Sequence, residues 1–212
     1  MKKSNLVFIS FMIIVMVSLQ LLSPIEANAA NKNVTKTLKD KSQVIKLIDS
    51  MTTWLDYAVL EDARGGKTKT YTLTDRQQLT IAGYLIHSKK LTQSRLHKNS
   101  YFLFGTKPSI QKLPLRDSFT YPIPHISRNS YGAIRYNGGD LFDSKPEVKV
   151  KKIVRTNSGC YTVSVTNYLS TYYNNVKKVI GSSTIKIKKS PKLKYGYKVT
   201  WIRVKSNGVG YF

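Results

Sequence analysis

The chain has 212 residues, with 35 Lys and Arg against 11 Asp and Glu for a formal net charge of +24, and it holds one cysteine and three histidines. A single cysteine excludes an intramolecular disulfide, so stability has to come from packing. Three histidines without paired spacing supply no metal-ligand pattern, and charge of this size favours anionic partners through a field that salt screens.

The first segment has the layout of a secretory signal peptide: Met1-Lys2-Lys3, an apolar run from Leu6 to Leu22, and Ala27-Asn28-Ala29 as a small-x-small site. Cleavage is expected after Ala29. The apolar run also reaches the lower length limit for crossing a bilayer, which makes an uncleaved anchor the competing reading. Either way the protein is expected to be secreted or associated with the cell envelope, and the lack of disulfides suits a Gram-positive bacterium. Residues 30–36 are polar and expected to fray, 37–206 to form a single α+β domain, and 207–212 to be a tail.

From Thr37 to about Asp62 the apolar positions Leu38, Val44, Ile45, Leu47, Ile48, Met51, Leu55, Ala58 and Val59 recur every three or four residues, which predicts one long helix. Arg64-Gly65-Gly66 is its stop. Lys67 to Thr72 reads as a polar connector. Thr74 with Gln77 three residues on forms a capping box, and a second helix is expected from there to about Lys89, weakened by Gly83. Tyr101-Phe-Leu-Phe104 reads as a short β-like run. Residues 107–146 carry five prolines and no apolar period, which predicts an irregular crossover, with a short strand at Tyr131 to Tyr136 before Asn137-Gly138-Gly139.

Four β-rich runs follow between Glu147 and Ser206, separated by short turns, and they predict an antiparallel meander. In the second run Tyr161, Val163, Val165 and Leu169 share one face, and Thr162, Ser164, Thr166 and Tyr168 share the other. A parity change at Lys151-Lys152, and a similar one at Gly181, predict bulges that curve the sheet. From Val148 to Phe212 there are 14 basic residues and no acidic one, so the sheet carries a field of one sign.

This pattern resembles the cystatin-like cone of the nuclear-transport-factor-2-like superfamily over about Leu38 to Ser206. The residues that carry the likeness are the helix Val44 to Asp62 and the closing hairpin, Ile185-Lys-Ile-Lys-Lys-Ser-Pro191 into Tyr195-Gly-Tyr-Lys-Val-Thr-Trp201. The resemblance implies N-terminal helices packed on a strongly curved antiparallel sheet of about four strands, with a pocket between the helices and the concave face. Members include ketosteroid isomerases, dehydratases, non-catalytic binders and envelope or conjugation proteins, so the fold leaves function open.

Enzymes of that superfamily use a carboxylate or a His-Asp pair in the pocket. The helical candidates here are Asp49, Asp56 and His87, with Asp56 and His87 the pair an enzyme would use; acids that balance sheet lysines are the plainer reading. Cys160 together with His87, His97 or His125 lacks the sequence surroundings of a sortase or L,D-transpeptidase cysteine, and it reads as a small apolar residue opening a strand. No catalytic residue, metal or cofactor is assigned. A binding face is more legible: Lys186, Lys188, Lys198 and Arg203 supply cations, and Tyr195, Tyr197 and Trp201 supply rings on one strand face, although rings at period two are equally the core side of a sheet. The expected function is a non-enzymatic exported domain that binds an anionic or amphipathic partner, an envelope polymer or lipid headgroups. Specific nucleic-acid binding is not indicated and the oligomeric state is open. The alternatives are an enzyme of the cone superfamily and a scaffold subunit of an envelope or conjugation complex.

Overall fold

The computed structural model describes residues 31–85, 91–115, 126–128, 134–136, 144–171 and 176–209, all within a unit that runs Asn31–Phe212. The segment expected to be a signal peptide, His87, His125 and much of the crossover lie outside the described residues.

The expected long helix is divided. Strand β1 (Lys32–Asn33) leads through a turn to α1 (Lys41–Asp49) and α2 (Thr52–Tyr57), and a π-helical turn (Ala58–Asp62) completes the segment. The break follows from Ser50, whose hydroxyl donates to the Leu47 carbonyl at 2.7 Å while the Met51 N–H turns back to Ile48; a serine that bonds its own helix competes with the regular ladder. The π turn, closed by the Ala63 N–H on the Ala58 carbonyl at 3.0 Å, answers a packing demand. All seven residues from Trp54 to Leu60 are buried, so this helix has no solvent side. Gly65 and Gly66, at φ 74° and 80°, end it as expected.

Two stretches read as irregular are edge strands. β1 pairs with the end of β5 (Ser144–Asn157), the Val34 N–H extends that pairing to the Ile153 carbonyl, and Val34 itself is in the core, so residues 31–36 are tied down. β2 (Thr68–Tyr71) pairs with β8 (Tyr197–Ser206). Its outward Thr and Lys residues made it read as a connector, yet Tyr71 is buried edge-on against Trp54 at 4.9 Å and its hydroxyl donates to Asp62.

Helix α3 (Asp75–Tyr84) begins at the expected capping box, with Thr74 and Gln77 exchanging both bonds. Helix α4 (Gln93–Phe104) replaces the expected β-like run at Tyr101–Phe104. Thr92 caps it by accepting from the Arg95 N–H, Gly105 at φ 76° stops it, and Leu96, Ser100, Leu103 and Phe104 form its buried side. Gly83 in α3 has a positive reason: a Cβ there would overlap the side chain of Ile126. Ile126 belongs to β3 (Ile126–Arg128), which pairs with β4 (Ile134–Tyr136), the described part of the strand expected at 131–136. Leu79, Ala82, Leu96, Leu113 and Ile126 make a small second core there.

The main sheet has six antiparallel strands in the order β1-β5-β6-β7-β8-β2, where β6 is Cys160–Thr171 and β7 is Lys177–Lys189. Four were expected; β1 and β2 complete its edges. The register shifts at Lys151 in β5 and at Ile180 beside Gly181 in β7 lie where parity predicted bulges. Two further shifts, at Thr156 in β5 and at Thr200 in β8, do not follow from parity. The inner face, with Val163, Val165, Leu169, Ile185, Ile202 and Val204, packs against Val44, Leu47, Ile48, Leu55 and Val59 of the helical layer. Burial of this kind, at roughly 1.5–3 kcal/mol per large aliphatic side chain, is what holds the helices on the sheet.

Candidate functional site

The bulge at Thr200 decides which residues the sheet presents. Before it, Tyr197 and Val199 point inward; after it, Ile202, Val204 and Ser206 point inward, so Trp201, Arg203 and Lys205 point out. The Thr200 hydroxyl donates to the Lys186 carbonyl at 3.1 Å and secures the irregular step.

The expected ring-lined face of Tyr195, Tyr197 and Trp201 is therefore corrected. Tyr197 is 1% exposed and lies edge-to-face with Tyr161 at 5.7 Å. Its hydroxyl donates to Asp40 at 3.5 Å, and burial pushes its pKa up to about 12, helped by the neighbouring Tyr161 and Asp40. Tyr195 is half-buried against the main core. Trp201 alone of the three is on the outer face.

There it meets the expected cations. Lys186 lies opposite Trp201 in register, with its Nζ 5.0 Å from the ring centroid, and the Arg203 guanidinium carbon is also 5.0 Å away. Lys188 and Lys198 face each other across the same two strands. All four predicted basic residues thus share one face, and among the described residues none of them forms an ion pair, whereas Lys177 pairs with Glu147 and Lys189 with Asp40. Sequence reasoning missed the rest of this surface. Lys149 and Lys152 on β5 and Lys205 on β8 join it, and between them lie Thr162, Ser164, Thr166, Ser182 and Thr184 on β6 and β7. The signal was the period-two alternation of β6 and β7, read only for its apolar half. The assembly is a floor of hydroxyl donors rimmed by ammonium and guanidinium groups, with one cation-bearing indole. Groups of this kind bind phosphate or carboxylate oxygens by charge-assisted hydrogen bonds. Glu147, at the far end of the same face, is neutralised by Lys177.

The acid proposed for an enzymatic pocket has a different setting. Asp56 is 0% exposed, whereas Asp49, one break earlier, faces solvent. Its carboxylate accepts from the Asn167 Nδ2 at 2.8 Å and from the Glu147 N–H at 3.1 Å, and Asn167 Oδ1 accepts from the Ser183 hydroxyl at 2.7 Å. Burial raises its pKa to about 8, against the two hydrogen bonds, which lower it. The chain Asp56, Asn167, Ser183 stitches α2 to β5, β6 and β7. Its signal was also present: Asn167 and Ser183 occupy core-facing positions in otherwise apolar series. Among the described residues, packed side chains lie between the helices and the inner face, where the resemblance implied a pocket.

Cys160 is half-buried opposite Lys188, and the His97 ring bonds instead to the Pro108 carbonyl at 2.9 Å. Among the described residues no three His, Cys, Asp or Glu side chains gather to hold a metal, and no helix is long and apolar enough to cross a membrane. The fold and this face define an α+β domain with a basic, hydroxyl-rich outer sheet surface. No family model, curated protein or solved structure matches the chain.

Proposed function

We propose that the protein is an exported, non-enzymatic domain that acts at the cell envelope by holding an anionic polymer against the outer face of its sheet. The observation that carries this reading is the cluster Lys186, Trp201 and Arg203, continued by Lys188 and Lys198 beside a field of Ser and Thr hydroxyls. Cations without carboxylate partners lose little on meeting an anion, and an extended strand repeats them at about 7 Å, which suits a polymer of regularly spaced charge. We further read the bulged sheet with helices on one face as a cystatin-like cone; the register shifts at Lys151, Ile180 and Thr200 support it, since bulges bend and twist a sheet. The enzymatic alternative has less support, because Asp56 is enclosed and already bonded to Asn167 and Glu147.

The test is retention on an immobilised polyphosphate or poly(glycerol phosphate) column. Replacing Lys186, Lys188 and Lys198 with Gln, and Arg203 with Gln, should lower retention while circular dichroism and thermal stability stay unchanged; moderate salt should release the parent protein. Undiminished retention of the quadruple variant refutes the reading. Retention on anionic vesicles but on no polymer would assign the face to lipid headgroups, and salt-insensitive capture would favour a scaffold role.

A further inference from the structure

A second cluster of cations and rings lies along α4. A groove of about 630 Å³ runs from the first turn of that helix, at Gln93 and Ser94, past His97 and Lys98 to Tyr101, Phe102 and Lys107. Its lining combines three kinds of group. The floor is aromatic, with Tyr101 36% exposed. The walls are cationic: the Lys107 Nζ is 5.5 Å from the Tyr101 ring centroid and the Lys98 Nζ 5.7 Å from that of Phe102. The head is the N-terminus of a 12-residue helix, capped by the Thr92 hydroxyl, which accepts from the Arg95 N–H.

From the loop between β7 and β8, Lys194 places its Nζ 5.3 Å from the centroid of Phe102 and 5.1 Å from that of Tyr195. Phe102 thus has two ammonium groups within 6 Å of it, and among the described residues neither Lys98, Lys107 nor Lys194 forms an ion pair. An exposed cation–π contact is worth only about 0.5–1 kcal/mol, which does not offset much like-charge repulsion. An anion held between these groups removes that repulsion. The His97 ring is fixed by its bond to the Pro108 carbonyl, so it is a rigid part of the wall.

We propose that this groove is a binding site for a small ligand that joins a phosphate-like anionic group to a flat ring. The anion lies between Lys98 and Lys107, both of which line the groove, and the ring stacks on the exposed Tyr101. The volume admits one or two rings.

Calorimetric titration or two-dimensional NMR of the protein with three probes tests it: an aryl phosphate, a hexose phosphate and inorganic phosphate. The aryl phosphate should bind at least about tenfold more tightly than inorganic phosphate, and the hexose phosphate, whose ring is puckered, no more tightly than inorganic phosphate. The exposed double substitution Lys98→Gln with Lys107→Gln should weaken binding by about tenfold or more. Tyr101→Ala should bring the ring-bearing probe down to the level of inorganic phosphate. The outer-face variant Lys186→Gln with Arg203→Gln should leave all three affinities unchanged. Absence of binding by every probe at millimolar concentration overturns the proposal, as does binding that the outer-face variant abolishes and the groove variants do not.

Discussion

Asp56 permits a prediction whose sign and size both come from its surroundings. In the fold its pKa is about 8; in the unfolded chain it returns to the ordinary 3.8. Between those values the folded protein keeps a proton that the unfolded chain has released. Stability is therefore full below about pH 4, declines as pH rises through the window, and levels off above pH 8, where both states are ionised. Four pH units at about 1.4 kcal/mol each set a ceiling of about 6 kcal/mol. Asp56→Asn removes the titration but brings a different cost. Both neighbours of the carboxyl group, the Asn167 Nδ2 and the Glu147 N–H, are donors. A protonated carboxyl keeps a lone pair on each oxygen, whereas an amide nitrogen has none to offer, so one donor is left facing another at about 1–3 kcal/mol. The variant should thus be less stable than the parent at pH 5 and nearly independent of pH, and the two stability curves should converge or cross by pH 9. Urea unfolding at unit pH steps from 5 to 9, followed by Trp54 fluorescence and far-ultraviolet circular dichroism, measures both. Parallel curves for parent and variant would refute the assignment of the pH dependence to this buried acid.

Other substitutions separate core from surface. Gly181→Ala should destabilise by about 1–3 kcal/mol, because the new methyl group meets the Lys205 carbonyl and stands 2.6 Å from Val59 Cγ1; a urea midpoint checks it. Tyr197→Ala should cost about 3–5 kcal/mol in the same assay, whereas Trp201→Ala should cost under about 1 kcal/mol and reduce polymer retention instead. Thr74→Ala should cost about 1 kcal/mol by removing the cap of α3, with no change in retention.

Much of this molecule was legible without coordinates. The alternation in β6, the capping box at Thr74, the double-glycine stop and the bulges near Lys151 and Gly181 are local: each is set by side-chain parity or by one residue bonding a near neighbour. Of the cationic quartet, Lys186 and Lys188 were legible by strand parity, whereas Lys198 and Arg203, of opposite parity, share a face only through the bulge at Thr200. Helix α4 was not, because Tyr101–Phe104 was weighed apart from its cap at Thr92 and its stop at Gly105.

What the sequence alone determined was the inventory: an α+β domain, an antiparallel meander, a lysine-rich face and a shortage of acids to neutralise it. The tertiary structure decided allocation. Whether Tyr197 or Trp201 faces solvent depends on one extra residue at Thr200, and a one-residue slip in a strand of period two exchanges its faces. Whether Asp56 balances surface lysines or bonds Asn167 depends on partners 111 residues distant in the chain. Edge strands β1 and β2 exist because β5 and β8 offer unpaired backbone groups, a demand made by the sheet and invisible in Lys32–Asn33 or Thr68–Tyr71 themselves. Contacts set by chain neighbours can be read in order; those set by the sheet become visible only once it has closed on its helices.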